Sequence, residues 1–122
     1  MTTLLELTAR LEYRAEEAKL IGATGYLRPT MYFYGRAFAF EVAFEELCGT
    51  APALDSLDRL AYWWGTLALD VRAEGSERQG DIPPDWYAYY TGVADGLESA
   101  AEELRDLIDS MMRVHRSNGS SN

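Results

Sequence analysis

Seven small residues, spaced every fourth position on two stretches, constrain this chain more than any other feature: Gly35, Ala39 and Ala43 on one, Ala88, Gly92, Gly96 and Ala100 on the other. In an α-helix, residues four apart stack into one nearly straight ridge. A glycine inside a helix costs roughly 1 kcal/mol relative to alanine, so a helix that holds both Gly92 and Gly96 needs compensation. Close approach of two helix backbones supplies it. The spacing therefore predicts that the second and fourth helices cross through these ridges, with aromatic side chains packed around the contact. The alternative is that Gly92 and Gly96 mark a kink.

Apolar residues recur at helical intervals in four segments. Leu4, Leu7, Leu11, Ala15 and Ala18 predict a first helix over about Thr3–Ile21. Thr2 or Thr3 can cap its start, with Glu6 at the third position of a capping box, and Gly22, Thr24 and Gly25 stop it. The second helix is expected to start near Pro29 and to stop before Gly49. Its apolar residues, among them Met31, Phe33, Phe38, Phe40, Val42 and Leu47, cover nearly the whole circumference, the pattern of a central helix. The third helix is expected to begin after an Asp55 N-cap and to end at Gly75, with Leu57, Leu60, Ala61, Trp64, Leu67, Ala68 and Val71 on its inner face. The fourth should run from Pro83 or Pro84 to about His115, on the order of 30 residues or ~45 Å against ~27 Å for the others. Such a helix is either kinked or projecting. Its second half carries an apolar stripe of Leu97, Ala101, Leu104, Leu107 or Ile108, Met111 and Val114, which suits a second copy of the chain. The fold expected is all-α: an antiparallel four-helix bundle with a central apolar second helix and a long, kinked or projecting fourth. Residues 1–116 form one helical domain and 117–122 a disordered tail.

Charge narrows the partners. The 122 residues carry 11 Lys and Arg against 20 Asp and Glu, a net charge of −9. Nucleic-acid binding relies on cations that displace phosphate counterions, so direct nucleic-acid binding and docking to an anionic membrane are not expected. The charge solvates a face and can steer a basic protein towards it. No apolar signal region opens the chain, and no apolar run approaches the roughly 18 residues of a membrane span. One cysteine, Cys48, rules out an internal disulfide framework and reads as a small buried hydrophobe. A cytoplasmic protein is expected.

Residues with catalytic chemistry are scarce. The one histidine, His115, lies at the expected end of the fourth helix, a position that opposes its reaching a buried site as a Ser–His or Cys–His arrangement requires. A Cys/His zinc site and the paired Glu-x-x-His of di-iron bundles need more histidines than one. Gly22 to Gly25 lacks the Lys-Ser or Lys-Thr of a phosphate cradle. Carboxylates remain: Glu41, Glu45 and Glu46; Asp70 and Glu74; Glu102, Glu103, Asp106 and Asp109. Glu103-x-x-Asp106 and Glu41-x-x-x-Glu45 are similar to the carboxylate patterns of all-helical nucleoside triphosphate pyrophosphohydrolases, which hold Mg²⁺. The resemblance covers a few residues and lacks the family's ligand order and count. It implies Glu41 and Glu45 as metal ligands. A third reading is a small-molecule pocket built from Tyr32, Tyr34, Tyr62, Trp63, Trp86, Tyr89 and Tyr90.

Neighbouring residues on a helix diverge by about 100°, so tandem Trp63–Trp64 and Tyr89–Tyr90 cannot all point inward. Outward aromatics are hot-spot material for protein binding. The favoured expectation is a non-enzymatic, acidic protein-binding module without metal or cofactor. Its binding residues would be Trp63, Tyr89, Glu102, Glu103, Asp106 and Asp109. Its partner would be a protein, basic or nucleic-acid-handling, towards which it acts as an inhibitor, immunity-type or accessory protein. A homodimer through the second half of the fourth helix is the accompanying expectation.

Overall fold

The computed structural model of the protein describes residues 3–24 and 30–120, with side chains as far as Val114. It consists of four helices, α1 (Leu4–Thr24), α2 (Thr30–Cys48), α3 (Leu54–Arg78) and α4 (Pro84–Ser120), and the described residues contain no strand. Thr2 and Pro29, both offered as helix starts, lie outside the described residues, as do the His115 side chain and, within the expected tail, the side chains of 117–120 and all of 121–122.

Local signals explain most of the boundaries. Thr3 accepts a hydrogen bond on Oγ1 from the Glu6 backbone N–H at 3.1 Å, which satisfies one of the orphan donors of the α1 N-terminus. Pro84 opens α4, where its missing N–H costs nothing. Two expectations fail. The α3 N-cap is Ala53, with no side-chain hydrogen bond, and Asp55 sits inside the first turn, where its charge still suits the helix dipole. Gly75 does not end α3. It is buried within the helix, and a Cβ there would lie 3.0 Å from Cβ of Tyr90 on α4. Gly22 is likewise interior to α1, seated against the Tyr34 ring. Both glycines mark contacts between helices, and α3 continues to Arg78.

The small-residue ridges meet as their spacing predicts. A Cβ on Gly92 would overlap the Tyr32 carbonyl oxygen, and one on Gly35 would overlap the Tyr89 carbonyl and lie 2.9 Å from the Val93 nitrogen. A Cβ on Gly96 would fall 2.6 Å from Cβ of Ala39. Ala39, Ala43 and Ala100 are fully buried beside them. The register climbs in the same sense on both helices, from Tyr32 beside Gly92 to Ala39 beside Gly96, so α2 and α4 run parallel. This is the direction expected of helices two apart in an up-and-down bundle. In a square bundle that pair would lie across a diagonal. Here α2 and α4 make the most extensive interhelical contact, α1 packs on α2, and α3 packs on α4. Among the described residues α1 and α3 make no close backbone approach to each other. The bundle is therefore squashed along one diagonal, with α1 and α3 on its outer flanks.

One core joins all four helices. Its largest fully buried side chains are Leu7 and Leu11 of α1, Phe40 of α2, Leu57 and Trp64 of α3, and Leu97 and Leu104 of α4. The α4 stripe expected to await a second copy belongs to this core: Leu97, Ala101, Leu104, Leu107 and Ile108 are buried, and Met111 packs against them. Only Met112 and Val114 remain exposed among the apolar residues of that half. The N-terminal halves of α1 and α3 cover the stripe, because α4, with 37 residues against 19 in α2, outruns α2 and needs other cover. Helix α2 is central in packing between α1 and α4 but is not enclosed, since Tyr34 and Phe38 are 39% and 49% exposed. Cys48 is exposed rather than buried, because it lies on the outward side of the last turn of α2, whose inward residue is the core Leu47.

The glycine contact yields a direct test. Gly92→Ala should destabilise the protein by about 2–3 kcal/mol in urea unfolding, because overpacking against backbone outweighs the roughly 1 kcal/mol that alanine gains in helix propensity. Gly80→Ala, where an added Cβ meets nothing within 4 Å, should be neutral or stabilising by up to about 1 kcal/mol.

Candidate functional site

The six residues expected to bind a partner do not form one surface. Trp63 is half exposed on α3, while Trp64 beside it is wholly buried. Glu102, Asp106 and Asp109 are exposed on the C-terminal half of α4, whereas Tyr89 lies near its N-terminus, roughly 20 Å along the axis from Glu102. Glu103 faces inward. Its Oε1 accepts Arg14 at 2.8 Å and lies 3.5 Å from Arg10, tying α4 to α1, with its side chain only 16% exposed. Glu103 is thus engaged in ion pairs between helices.

Tyr89 instead belongs to a different surface. Its ring lies 6.4 Å from Phe38 of α2 and meets Trp86 edge-on at 5.9 Å. Phe38 and Trp86 are both about half exposed, although rings of this size normally dominate cores. Glu41, one turn beyond Phe38, lies close enough to act on the Tyr89 hydroxyl, whose pKa is raised first by burial and then by that negative charge. Beyond Glu41 a groove between α1 and α2 is lined by Glu12, Glu16, Glu41 and Glu45 over a floor of Ala15 and Phe44. Lys19 pairs with Glu41 and, at 3.4 Å, with Glu16, and its pKa is raised chiefly by the Glu41 bond. An aromatic strip thus continues directly into an acidic one.

This surface follows from the ridge contact. Where the α2 and α4 backbones touch, no side chain fits between them, so the bulky neighbours of Gly35 and Gly92 are turned out to the flanks. Phe38, Trp86, Glu41 and Glu45 were absent from the expected binding set. Of these, Phe38 had a legible signal: it lies one turn from Tyr34 on the line opposite the buried Phe40.

A polar lattice laces the other side of the α2–α4 seam. The Tyr32 hydroxyl donates to Asp95 of α4 and accepts from Arg36 at 3.4 Å. Asp95 also pairs with Arg72 of α3 at 2.8 Å, and Arg72 reaches Glu98 at 2.6 Å. Burial first, and the bond to Asp95 second, raise the Tyr32 pKa against the opposing effect of Arg36. The lattice spans three helices and fixes their relative register, although exposed ion pairs of this kind contribute little individually.

The carboxylates offered as metal ligands, Glu41 and Glu45, line the same groove but are not arranged around a metal position. Glu41 is held by Lys19, Glu45 is exposed, and among the described residues no group of three or more His, Cys, Asp and Glu side chains is arranged to hold a metal ion. Among the same residues, no helix is long and apolar enough to cross a membrane. Fold and surface together define an all-α four-helix bundle with an aromatic and acidic face. Comparison with known protein families, with curated proteins and with solved structures found no match to this chain.

Glu46 is partly buried in the last turn of α2. Burial raises its pKa above the ordinary 4.5, opposed by the Trp64 indole N–H, which is turned towards it without the geometry of a hydrogen bond. A carboxyl whose pKa is raised in the folded state favours folding in its protonated form. That contribution is complete below the unfolded pKa and is lost as pH rises through the folded one. Glu46→Gln should therefore match the wild type in stability below pH 4.5 and exceed it at neutral pH, measured by urea midpoints across that range.

Proposed function

We infer that this protein is a non-enzymatic binding module that recognises a basic protein through the face formed by Phe38, Trp86 and Tyr89 and the adjoining carboxylates Glu41 and Glu45. The observation that carries the reading is the pair of half-exposed aromatic rings in mutual contact with Tyr89 beside Glu41. Aromatic side chains supply large contact area with few rotatable bonds, and they dominate the energetics of protein interfaces. Their faces also attract Lys and Arg. The neighbouring carboxylates add the steering charge, and the net charge of −9 extends it to long range. An inhibitor, immunity-type or accessory role against a nucleic-acid-handling protein suits this chemistry, since the basic groove of such a partner is complementary to an acidic surface. The acidic edge Glu102, Asp106 and Asp109 supports approach, while the aromatic rings supply the anchor.

The test compares proteins captured from the source cells on the immobilised chain. A partner bound through this face is retained by the wild type and by Trp63→Ala, and lost with Trp86→Ala and with the double change Glu41→Lys, Glu45→Lys. Trp86→Ala should weaken the purified complex by about 30-fold, the effect of an interface hot spot. The charge reversal should act mainly on the association rate, and that effect should shrink in high salt. Equal capture by all variants would remove the reading.

A further inference from the structure

We propose that the cleft between α1 and α2 around Arg14 and Arg36 is a binding site for a small monoanionic acid with an apolar or aromatic body. The cleft measures about 490 Å³ and is lined by Arg14, Glu17, Ala18 and Ile21 of α1 and by Tyr32, Phe33, Arg36 and Phe40 of α2. It lies apart from Phe38, Trp86 and Tyr89, so it stands or falls independently of the partner-binding face.

Arg36 is the reason to read this cleft as a site. The chain holds nearly two carboxylates for every cation, and the other half-buried cations, Arg14, Lys19 and Arg72, each have a carboxylate within ion-pair distance. Among the described residues Arg36 is the half-buried cation that has none. A guanidinium drawn partly out of water without an anion is costly. This one is nevertheless held firmly. It lies over the Tyr32 ring at 5.9 Å and the Phe40 ring at 5.4 Å, and Nη1 is oriented by the Tyr32 hydroxyl, itself fixed by Asp95. Arg14 lies over the same Phe40 ring at 5.9 Å. The two guanidinium groups thus flank one aromatic platform.

The lining sets the ligand chemistry. Arg36 presents a fork of donors suited to a carboxylate. Arg14 has its charge balanced by Glu103, so it can add hydrogen bonds but little net charge. Glu17 also lines the cleft, and Asp95 lies behind the Tyr32 hydroxyl. Asp95, Glu98 and Glu102 line a second pocket with Arg36, all beyond ion-pair distance of it, so the cleft has room for one negative charge and a dianion is repelled. Ala18, Ile21 and Phe33 supply apolar wall for the body of the ligand. A carboxylic acid of about the size of an arylacetic acid satisfies each of these terms.

The experiment titrates the full chain with phenylacetate, with the neutral phenylacetamide and with cationic benzylamine, read by two-dimensional NMR of backbone amides and arginine Nε–H groups. Phenylacetate is expected to bind with a dissociation constant on the order of millimolar, as suits a fragment. It should shift the signals of Ala18, Ile21, Phe33 and the Arg36 side chain. The amide and the amine should bind about tenfold more weakly or worse, since a hydrogen bond to a charged group is lost. Arg36→Gln should abolish the shifts. Ile21→Trp, which fills the cleft without altering charge, should do the same and keeps the test decisive if Arg36→Gln disturbs the fold. Arg113→Gln, the same charge change at an exposed position of α4, should leave binding unchanged. Equal binding of acid and amide, equal effects of Arg36→Gln and Arg113→Gln, or no phenylacetate binding would each overturn the proposal.

Discussion

The backbone contact between α2 and α4 determines the rest of this structure. Gly35, Gly92 and Gly96 remove the side chains that would hold two helices at the usual interaxial distance of 8–10 Å. Each of these positions lies where a single methyl group would collide with main chain or with Ala39. Two helices so joined form a slab, and the other two can only cover its opposite sides. That is why α1 packs on α2, α3 packs on α4, and the flanking pair stay apart. It also explains the distribution of large side chains. The common core gathers where Phe40, Leu47, Trp64, Leu97 and Leu104 interleave, while Phe38 and Trp86, alongside the glycine contact, are displaced to the surface.

Polar groups then fix what the apolar contact leaves adjustable. Glu103 joins α4 to α1 through Arg14, Glu41 joins α2 to α1 through Lys19, and Asp95 joins α4 to α3 and α2 through Arg72 and Tyr32. In a chain with a net charge of −9, several of the few cations are committed to these seams. The negative charge that remains is concentrated on the outward faces, including the groove of Glu12, Glu16, Glu41 and Glu45. Arg36 departs from this pattern, because its guanidinium is stacked between rings instead of being paired with a carboxylate.

Much of the fold was legible in the chain, and the failures share one cause. Apolar periodicity located all four helices, and the four-residue spacing of small side chains identified the pair that touches. The same residue type misled at Gly75 and Gly22, since a glycine that ends a helix and a glycine that admits a neighbour have the same local sequence. Only the Tyr90 and Tyr34 rings, distant in the chain, distinguish the two. The apolar stripe of α4 was recognised, but its cover was misjudged. Periodicity shows that Leu104 and Ile108 must be buried, and it is silent on whether α1 and α3 or a second copy buries them. The candidate site was legible only in fragments. Tyr89 and Trp63 were identified as outward aromatics, yet Tyr89 acquired its neighbours Phe38 and Glu41 from another helix.

Residue order alone therefore determined the helical class, the helix count and the α2–α4 pairing. These depend on which side chains recur at the helical repeat and on where a Cβ is missing, and both are properties of one or two segments. Tertiary structure alone decided which carboxylates became struts, which aromatics stayed outside the core and which half-buried arginine among the described residues was left outside ion-pair distance of a carboxylate. Those outcomes depend on the rotation of each helix about its own axis against its neighbours. Only the packing of all four helices settles that angle.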